Sequence, residues 1–308
     1  MNTQLSRRNF LKGFSAAALL GLTMGPSKLV QAQISPPSGD LFGIYRFAVG
    51  DMQITVIKDG VSPLNPDFLS MPENLEAVRE ELAAANLPTD ELLSTINIMV
   101  IQSGDEIYLV DAGLGVAVIP TLALINIAPE DITGILGTHW HPDHVAGLSN
   151  NGVVNFPNAT FYLSQIEFDF IQANAETFVA DAAAAIAPYA SSDRLSLYNP
   201  EDEIVSGIQA VAALGHTPGH HALLLSSGEN QLLSLIDTAI NASVHVPNPS
   251  FAFQFDADPV MAADSRVELL SRAAAEQIPV LGYHFPFPGV GYIADGLGDD
   301  QFRFVPYS

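Results

Sequence analysis

Thr138-His139-Trp140-His141-Pro142-Asp143-His144 is the stretch on which the reading of this 308-residue chain turns. Three imidazoles and one carboxylate fall within six consecutive residues, directly after the apolar run Ile132-Thr133-Gly134-Ile135-Leu136-Gly137. That run reads as a β-strand. At a strand end, residues two apart point to the same side, so His139 and His141 can converge on one metal ion. Pro142 suits the first position of a helix running to Gly147. In the first turn of that helix, Asp143 and His144 can reach back to a second ion beside the first. Imidazole and carboxylate ligands suit zinc, and also manganese, cobalt or iron.

A surface histidine tract can also collect metal adventitiously, but here further ligands follow downstream. His216 lies in Gly215-His216-Thr217-Pro218-Gly219-His220, Asp237 closes the apolar run Leu232-Leu233-Ser234-Leu235-Ile236, and His284 follows Val280-Leu281-Gly282-Tyr283. Each sits at or just beyond a strand-like segment, where a layered α/β fold gathers its functional loops. Seven ligands are enough for two divalent ions that share one carboxylate.

The order His-x-His-x-Asp-His, then His, then Asp, then His resembles the metallo-β-lactamase superfamily, in its dinuclear hydrolase branch. The segment from His284 to Gly291 and the ending Phe302-Arg303-Phe304-Val305-Pro306 are similar to the branch containing methyl parathion hydrolase and related exported lactonases and arylesterases. The likeness runs from about Phe47 to the C-terminus. It implies an α/β fold, a four-layer αββα sandwich with its ligands along one edge. It also implies that His139, His141 and His216 hold the first ion, that Asp143, His144 and His284 hold the second, and that Asp237 bridges both. Such a pair of ions traps a shared hydroxide for attack on a carbonyl or phosphoryl centre, with Asp143 and Asp237 as the catalytic carboxylates. No serine nucleophile is signalled, since Gly-x-Ser-x-Gly is absent. The implied activity is hydrolysis of a neutral ester or lactone, with organophosphate triesters as the alternative. A non-catalytic metal-binding protein on the same fold is more distant, because a degenerate member should have lost at least one ligand.

Residues 1–32 read as an export signal outside the fold. Ser6-Arg7-Arg8-Asn9-Phe10-Leu11-Lys12 resembles a twin-arginine signal, an apolar stretch runs from Gly13 to Met24, and Val30-Gln31-Ala32 offers small residues for cleavage. The apolar run is too short and too interrupted for a membrane anchor. The hydrolase domain is then 33–308, periplasmic or secreted in a bacterium, with the twin-arginine machinery as a partner. With no cysteine in the chain, disulfides are excluded, and stability falls to the core and the metal.

The charge is lopsided. Residues 1–32 hold four of the 11 Lys and Arg and none of the 34 Asp and Glu, so the remainder carries a net charge of −27. Such a field disfavours nucleic acid and repels anionic substrates, which leaves a small, neutral, hydrophobic substrate as the favoured partner. The acid excess also suits a saline habitat. A homodimer is compatible with the sequence, which carries no signal for it.

Alternation predicts strands at Ile44–Val49, Met52–Lys58, Ile96–Gln102, Glu106–Val110, Ala159–Leu163, Leu195–Tyr198, Ile204–Ala213, Ala222–Leu225 and Leu232–Ile236, with a last strand before His284. Helices are predicted over Pro72–Asn86, Val116–Ile127, Ser164–Tyr189 and Met261–Ile278, and residues 240–258 as a loop-rich insertion. Asp111 reads as a turn former or as an acceptor for a ligand imidazole. His220 reads as support for the ligands, His221 as a strand start and His245 as solvated. Phe68, Leu69, Leu93, Phe168, Phe170 and Phe178 read as core or pocket lining. Trp140 reads as pocket floor or sheet packing, and Tyr283 and Tyr292 stand near His284 as possible proton donors.

Overall fold

Strand residues that alternate between two apolar environments decide how the layers stack. The computed structural model describes residues 43–296 and 301–307; the expected export signal at 1–32 lies outside them. In chain order the first strands are β1 (Ile44–Val49), β2 (Met52–Leu64), β3 (Leu92–Ser103), β4 (Glu106–Val110), β5 (Gly134–Leu136), β6 (Ser149–Asn150), β7 (Val153–Val154), β8 (Thr160–Ser164) and β9 (Leu195–Tyr198). All but the short β6–β7 pair form one seven-stranded sheet, ordered β1-β2-β3-β4-β5-β8-β9. The second sheet follows as β10 (Glu203–Val205), β11 (Ile208–Ala212), β12 (His221–Ser227), β13 (Asn230–Ile236), β14 (Pro279–Gly282), β15 (Val290–Asp295) and β16 (Phe302–Pro306), in that spatial order.

The period of two along a strand then assigns each apolar residue to a layer. On β3, Met99 and Ile101 enter the core between the sheets, where Leu223, Leu225 and Leu281 meet them. Ile96, Ile98 and Val100 face the other way, into a core closed by helices α2 (Val118–Leu124), α3 (Pro142–Val145), α4 (Gln165–Ala173) and α5 (Ala180–Ala190). On β12 and β13, Ala222, Leu224, Leu233 and Leu235 face helix α6 (Pro259–Glu276) through Leu269, Leu270 and Ala273. Helix, sheet, sheet, helix is the expected four-layer sandwich. Helix α1 (Leu75–Ala84) stands apart from these layers and packs Val78 and Leu82 on Ile240, Val244 and Phe253 of the insertion, which makes a roof.

Three expectations are corrected. The helix predicted over 164–189 is two helices. Asn174 Nδ2 donates to Phe170 O at 2.8 Å and Thr177 Oγ1 to Asn174 O at 2.6 Å, side-chain bonds that compete with the helical ladder. The strand predicted over 204–213 turns at Ser206-Gly207, where Gly207 has φ +78°, and becomes β10 and β11. The chain also does not end its sheet at the His284 strand, because β15 and β16 complete the second sheet. The prolines and glycines around them hide the alternation.

Strand direction positions the site. β4, β5 and β8 run parallel, as do β13 and β14. Because β11 is antiparallel to β12, and β12 to β13, β11 ends on the same edge as β13. The segments after the carboxyl ends of β4, β5, β11, β13 and β14 therefore gather there, the edge at which open α/β sheets place ligands.

Candidate metal centre

All seven sequence-predicted ligands come together at that edge, in two groups whose ligand atoms lie within 4.8 Å of one another. His139, His141, His216 and Asp237 form the first; Asp143, His144 and His284 form the second. His139 Nε2 and His216 Nε2 each lie 2.9 Å from His141 Nδ1. Asp237 Oδ2 faces this trio, 3.3 Å from His216 Nε2 and 3.7 Å from His139 Nε2. Its Oδ1 faces the other group, 3.4 Å from both His144 Nε2 and His284 Nε2. Asp143 completes that side, with Oδ2 3.3 Å from His284 Nε2. One carboxylate thus spans both groups.

Four of the five ligand imidazoles are aimed by what the opposite nitrogen meets. Asp111, at the end of β4, accepts from His144 Nδ1, from the Thr138 hydroxyl and from the Thr138 amide, each at 2.8 Å. Thr138 Oγ1 in turn accepts from His139 Nδ1 at 3.1 Å. Asp111 therefore orients two ligands, one directly and one through Thr138, and is more than a turn former. His216 Nδ1 donates to Asp256 Oδ1 at 2.8 Å, and His284 Nδ1 to Thr95 O at 2.9 Å. His220 donates from Nδ1 to Ala213 O and accepts the Asp237 amide at Nε2, 3.2 Å away, so it supports Asp237 from behind.

The donor set fits a pair of divalent cations. With their Nδ1 protons committed, His139 and His216 present lone pairs at Nε2 to the same point. Two buried atoms at the junction, His144 Nε2 and Asp237 Oδ1, make no hydrogen bond, which a native interior rarely tolerates. Electrostatics agree. Burial presses His139 well below its ordinary pKa and His141 down to about 3, so both stay neutral. Burial opposes charge on the other three as well, but the carboxylates outweigh it. Asp237, Asp143 and Asp111 raise His144 well above its usual value, Asp237 and Asp256 lift His216 to about 9, and Asp237 and Asp143 lift His284 to about 10. Burial would raise Asp143 and Asp237, yet neighbouring imidazoles hold both below the usual carboxylate range. The cluster calls for positive charge, which metal ions supply by displacing protons.

Aromatic rings flank the ligands on two sides. Trp140 packs on His141 at 4.4 Å between centroids, on Phe178 at 5.5 Å and against the helix-side core. Phe253 stacks on His216 at 6.1 Å, and Phe255 joins Phe253 to Phe68, both at 5.1 Å. Phe178 is 69% exposed and Phe255 53%, so both line open space, whereas Leu69 is core and Phe168 packs against the helix-side core. Leu93 is exposed.

Tyr283 stacks on His144 and gives its hydroxyl to Asp143 O at 2.7 Å, and Tyr292 pairs within β15 and β16 against Tyr307. The Tyr283 hydroxyl is thereby not left as a proton donor at the ligands. His221 starts β12 as expected and meets Tyr198 Oη at 2.5 Å.

His245 corrects the expectation of a solvated side chain. It is fully buried, donating to Leu69 O at 2.9 Å and accepting the Asn241 amide at 3.1 Å. An insertion that doubles as a roof has its own interior. Sequence reasoning also missed Glu167, Asp256 and Arg266. Glu167 is buried on α4 and accepts from Trp140 N (3.0 Å), Thr217 Oγ1 (2.9 Å) and Gly219 N (2.7 Å), tying two ligand loops together; burial pushes it up to about 7. The Ser164-x-x-Glu167 spacing signals a helix start, and Ser164 does cap α4, but nothing local reveals the carboxylate's second task.

Comparison with known proteins gives the same picture. The family model described as Metallo-beta-lactamase superfamily matches residues 93–277, more than half of the chain. An N-acyl homoserine lactonase of Bacillus cereus is 26% identical over 118 residues, 38% of this chain and 42% of that protein. One from Bacillus thuringiensis is 24% identical over 168 residues, 53% of this chain and 60% of its own length. The chain thus spans less than two thirds of these curated relatives. A solved structure described as hydrolase AbOPH in beta lactamase superfamily has a TM-score of 0.79 at 29% identity, covering 88% of this chain and 99% of that one. AidC, described as a dizinc quorum-quenching lactonase in complex with its product, shares the fold at TM-score 0.79 and 23% identity over 88% of this chain and 99% of its own.

Proposed function

This chain belongs to the metallo-beta-lactamase superfamily, and on that premise we propose that it is a two-metal hydrolase acting on a neutral, apolar lactone or ester. The observation that carries this reading is the convergence of seven candidate ligands, Asp237 among them, with His144 Nε2 and Asp237 Oδ1 buried and unbonded. In this reading His139, His141 and His216 would hold one ion, Asp143, His144 and His284 would hold the other, and Asp237 would serve both. Two divalent ions, zinc on ligand chemistry, would acidify water and polarise the electrophilic oxygen. Asp143 is the carboxylate of the set with solvent access, its side chain 30% exposed. Its role is to take, at a carboxylate oxygen, the proton that the attacking water gives up and to pass it to the alkoxide released as the ester bond breaks. Trp140 and Phe178 on one side, and Phe253 and Phe255 on the other, exclude water and take up apolar substituents. The relatives named as N-acyl homoserine lactonases support the lactone class over the organophosphate triester.

The purified enzyme should contain about two divalent ions per chain and lose hydrolysis on chelation, with zinc, cobalt or manganese restoring it. Active enzyme without stoichiometric metal would sink the reading. One substrate panel ranks the chemistry: an acyl-homoserine lactone, an aromatic lactone, a nitrophenyl ester, methyl parathion and a penicillin. A kcat/KM highest on methyl parathion would move the assignment to phosphotriesters, and turnover of the penicillin alone would reject both. Export by the twin-arginine route is part of the proposal and rests on Ser6 to Lys12. Arg7→Lys with Arg8→Lys should hold the precursor in the cytoplasm, and a periplasmic double variant would refute the route.

A further inference from the structure

Arg266 is out of place by every simple rule. It lies on the apolar stripe of α6 with Ala262, Leu269 and Ala273, and its side chain is fully buried. A guanidinium is seldom taken wholly out of water unless its donors are all engaged. Here Nε donates to Thr238 O at 2.5 Å, Nη1 to Pro249 O at 3.1 Å and also to Phe251 O, and Nη2 to Asp256 Oδ2 at 3.5 Å. Thr238 follows the bridging Asp237, and Pro249 and Phe251 belong to the insertion that roofs the site. Asp256, itself buried, takes the Phe253 amide on the same oxygen at 2.8 Å, and its other oxygen takes His216 Nδ1.

We propose that Arg266 and Asp256 are positioning residues for the ion held by His139, His141 and His216. Arg266 fixes Asp256, Asp256 fixes the ring of His216, and the same guanidinium holds the backbone beside Asp237. The inference rests on the reading that His216 and Asp237 bind metal. Its physical basis is that a carboxylate behind a ligand imidazole sets both the ring's orientation and its basicity. Among the described residues Asp256 bonds only to His216, Phe253 and Arg266, so its influence should be confined to one ion. Arg266 also holds Thr238 O beside Asp237 and reaches His216 through Asp256.

The test is stepwise metal affinity of the full mature chain, measured by zinc competition against a chromophoric chelator. His216→Ala and His284→Ala should each delete one binding step, which assigns the two steps. Asp256→Asn should weaken the His216 step by roughly ten- to a hundred-fold and leave the His284 step unchanged, and Arg266→Met should weaken the His216 step well beyond the His284 step. Because Arg266 reaches His216 through Asp256, the double variant should lose no more at the His216 step than the more impaired single variant. Cobalt-loaded protein should show the matching change in its visible spectrum for the His216 site alone. Should Arg266→Met fail to fold, Asp256→Asn carries the test, since it is near-isosteric and leaves the guanidinium its three carbonyls. Equal weakening of both steps would make the pair a general stabiliser and overturn the proposal, as would two unchanged steps. If His216→Ala deletes no step, the metal reading itself has failed, and that result is distinct from the others.

Discussion

Ile236 carries a β-branched side chain on a left-handed backbone, at φ +51°. That conformation is rare and costly for such a residue, and it tends to persist where a site requires it. It turns the chain at the end of β13 so that the next residue, Asp237, lays one oxygen toward each group of imidazoles. Asp237→Ala should therefore release metal from both groups and lose far more activity than a change in the roof. His245 is such a roof residue. His245→Ala should leave metal content at the parent level but cost about 1–3 kcal/mol in urea unfolding, because Leu69 O and Asn241 N lose their partner. A parent-like midpoint would show that the roof does not need the bond. His221 predicts a pH effect. Burial presses it down to about 4, against about 6.5 in an unfolded chain. Between these values the unfolded chain takes up a proton that the folded one refuses. This contribution is whole above pH 6.5 and is lost as the pH falls toward 4. His221→Gln, which can still accept from Tyr198, should flatten that limb of a stability-versus-pH curve.

Among the elements, α3 matters most, and it is the shortest of the α-helices described, only Pro142–Val145. What holds four residues as a helix is contact with the loop after β4. Ala112 N donates to His144 O at 2.8 Å, and Gly147 N to Gly113 O at 3.0 Å. A Cβ on Gly147 would collide with Ala112 O. Gly147→Ala should thus push α3 off its seat, and elemental analysis should find metal lost chiefly from the Asp143, His144 and His284 side. Full occupancy would mean that the loop can yield. The ligands on these elements were legible because each ends a local pattern: an apolar strand, then His or Asp, with Pro142 marking the helix start. Asp256 and Arg266 were not legible as a pair, since they stand ten residues apart, Asp256 in the loop before α6 and Arg266 inside the helix. An arginine on the apolar stripe of α6 was the single visible hint. The break between α4 and α5 was missed because alanine-rich flanks favour helix while Asn174 and Thr177 quietly compete with it.

Across the whole molecule the charge of −27 outside residues 1–32 works against compactness. Screening should help, so the melting temperature should rise from low salt toward molar salt; a flat response would remove any saline adaptation from the picture. The two sheets also divide the chain in sequence. Every strand of the first sheet precedes residue 199, and every strand of the second follows residue 202. The same division runs through the ligands, with His139, His141, Asp143 and His144 before it and His216, Asp237 and His284 after it. Each ion would therefore be a clasp between two separately encoded halves. A chain nicked in the exposed turn at Glu201-Asp202 should yield fragments that re-pair when divalent metal is added and part again when it is withdrawn, so that co-elution of the two pieces becomes a direct readout of metal.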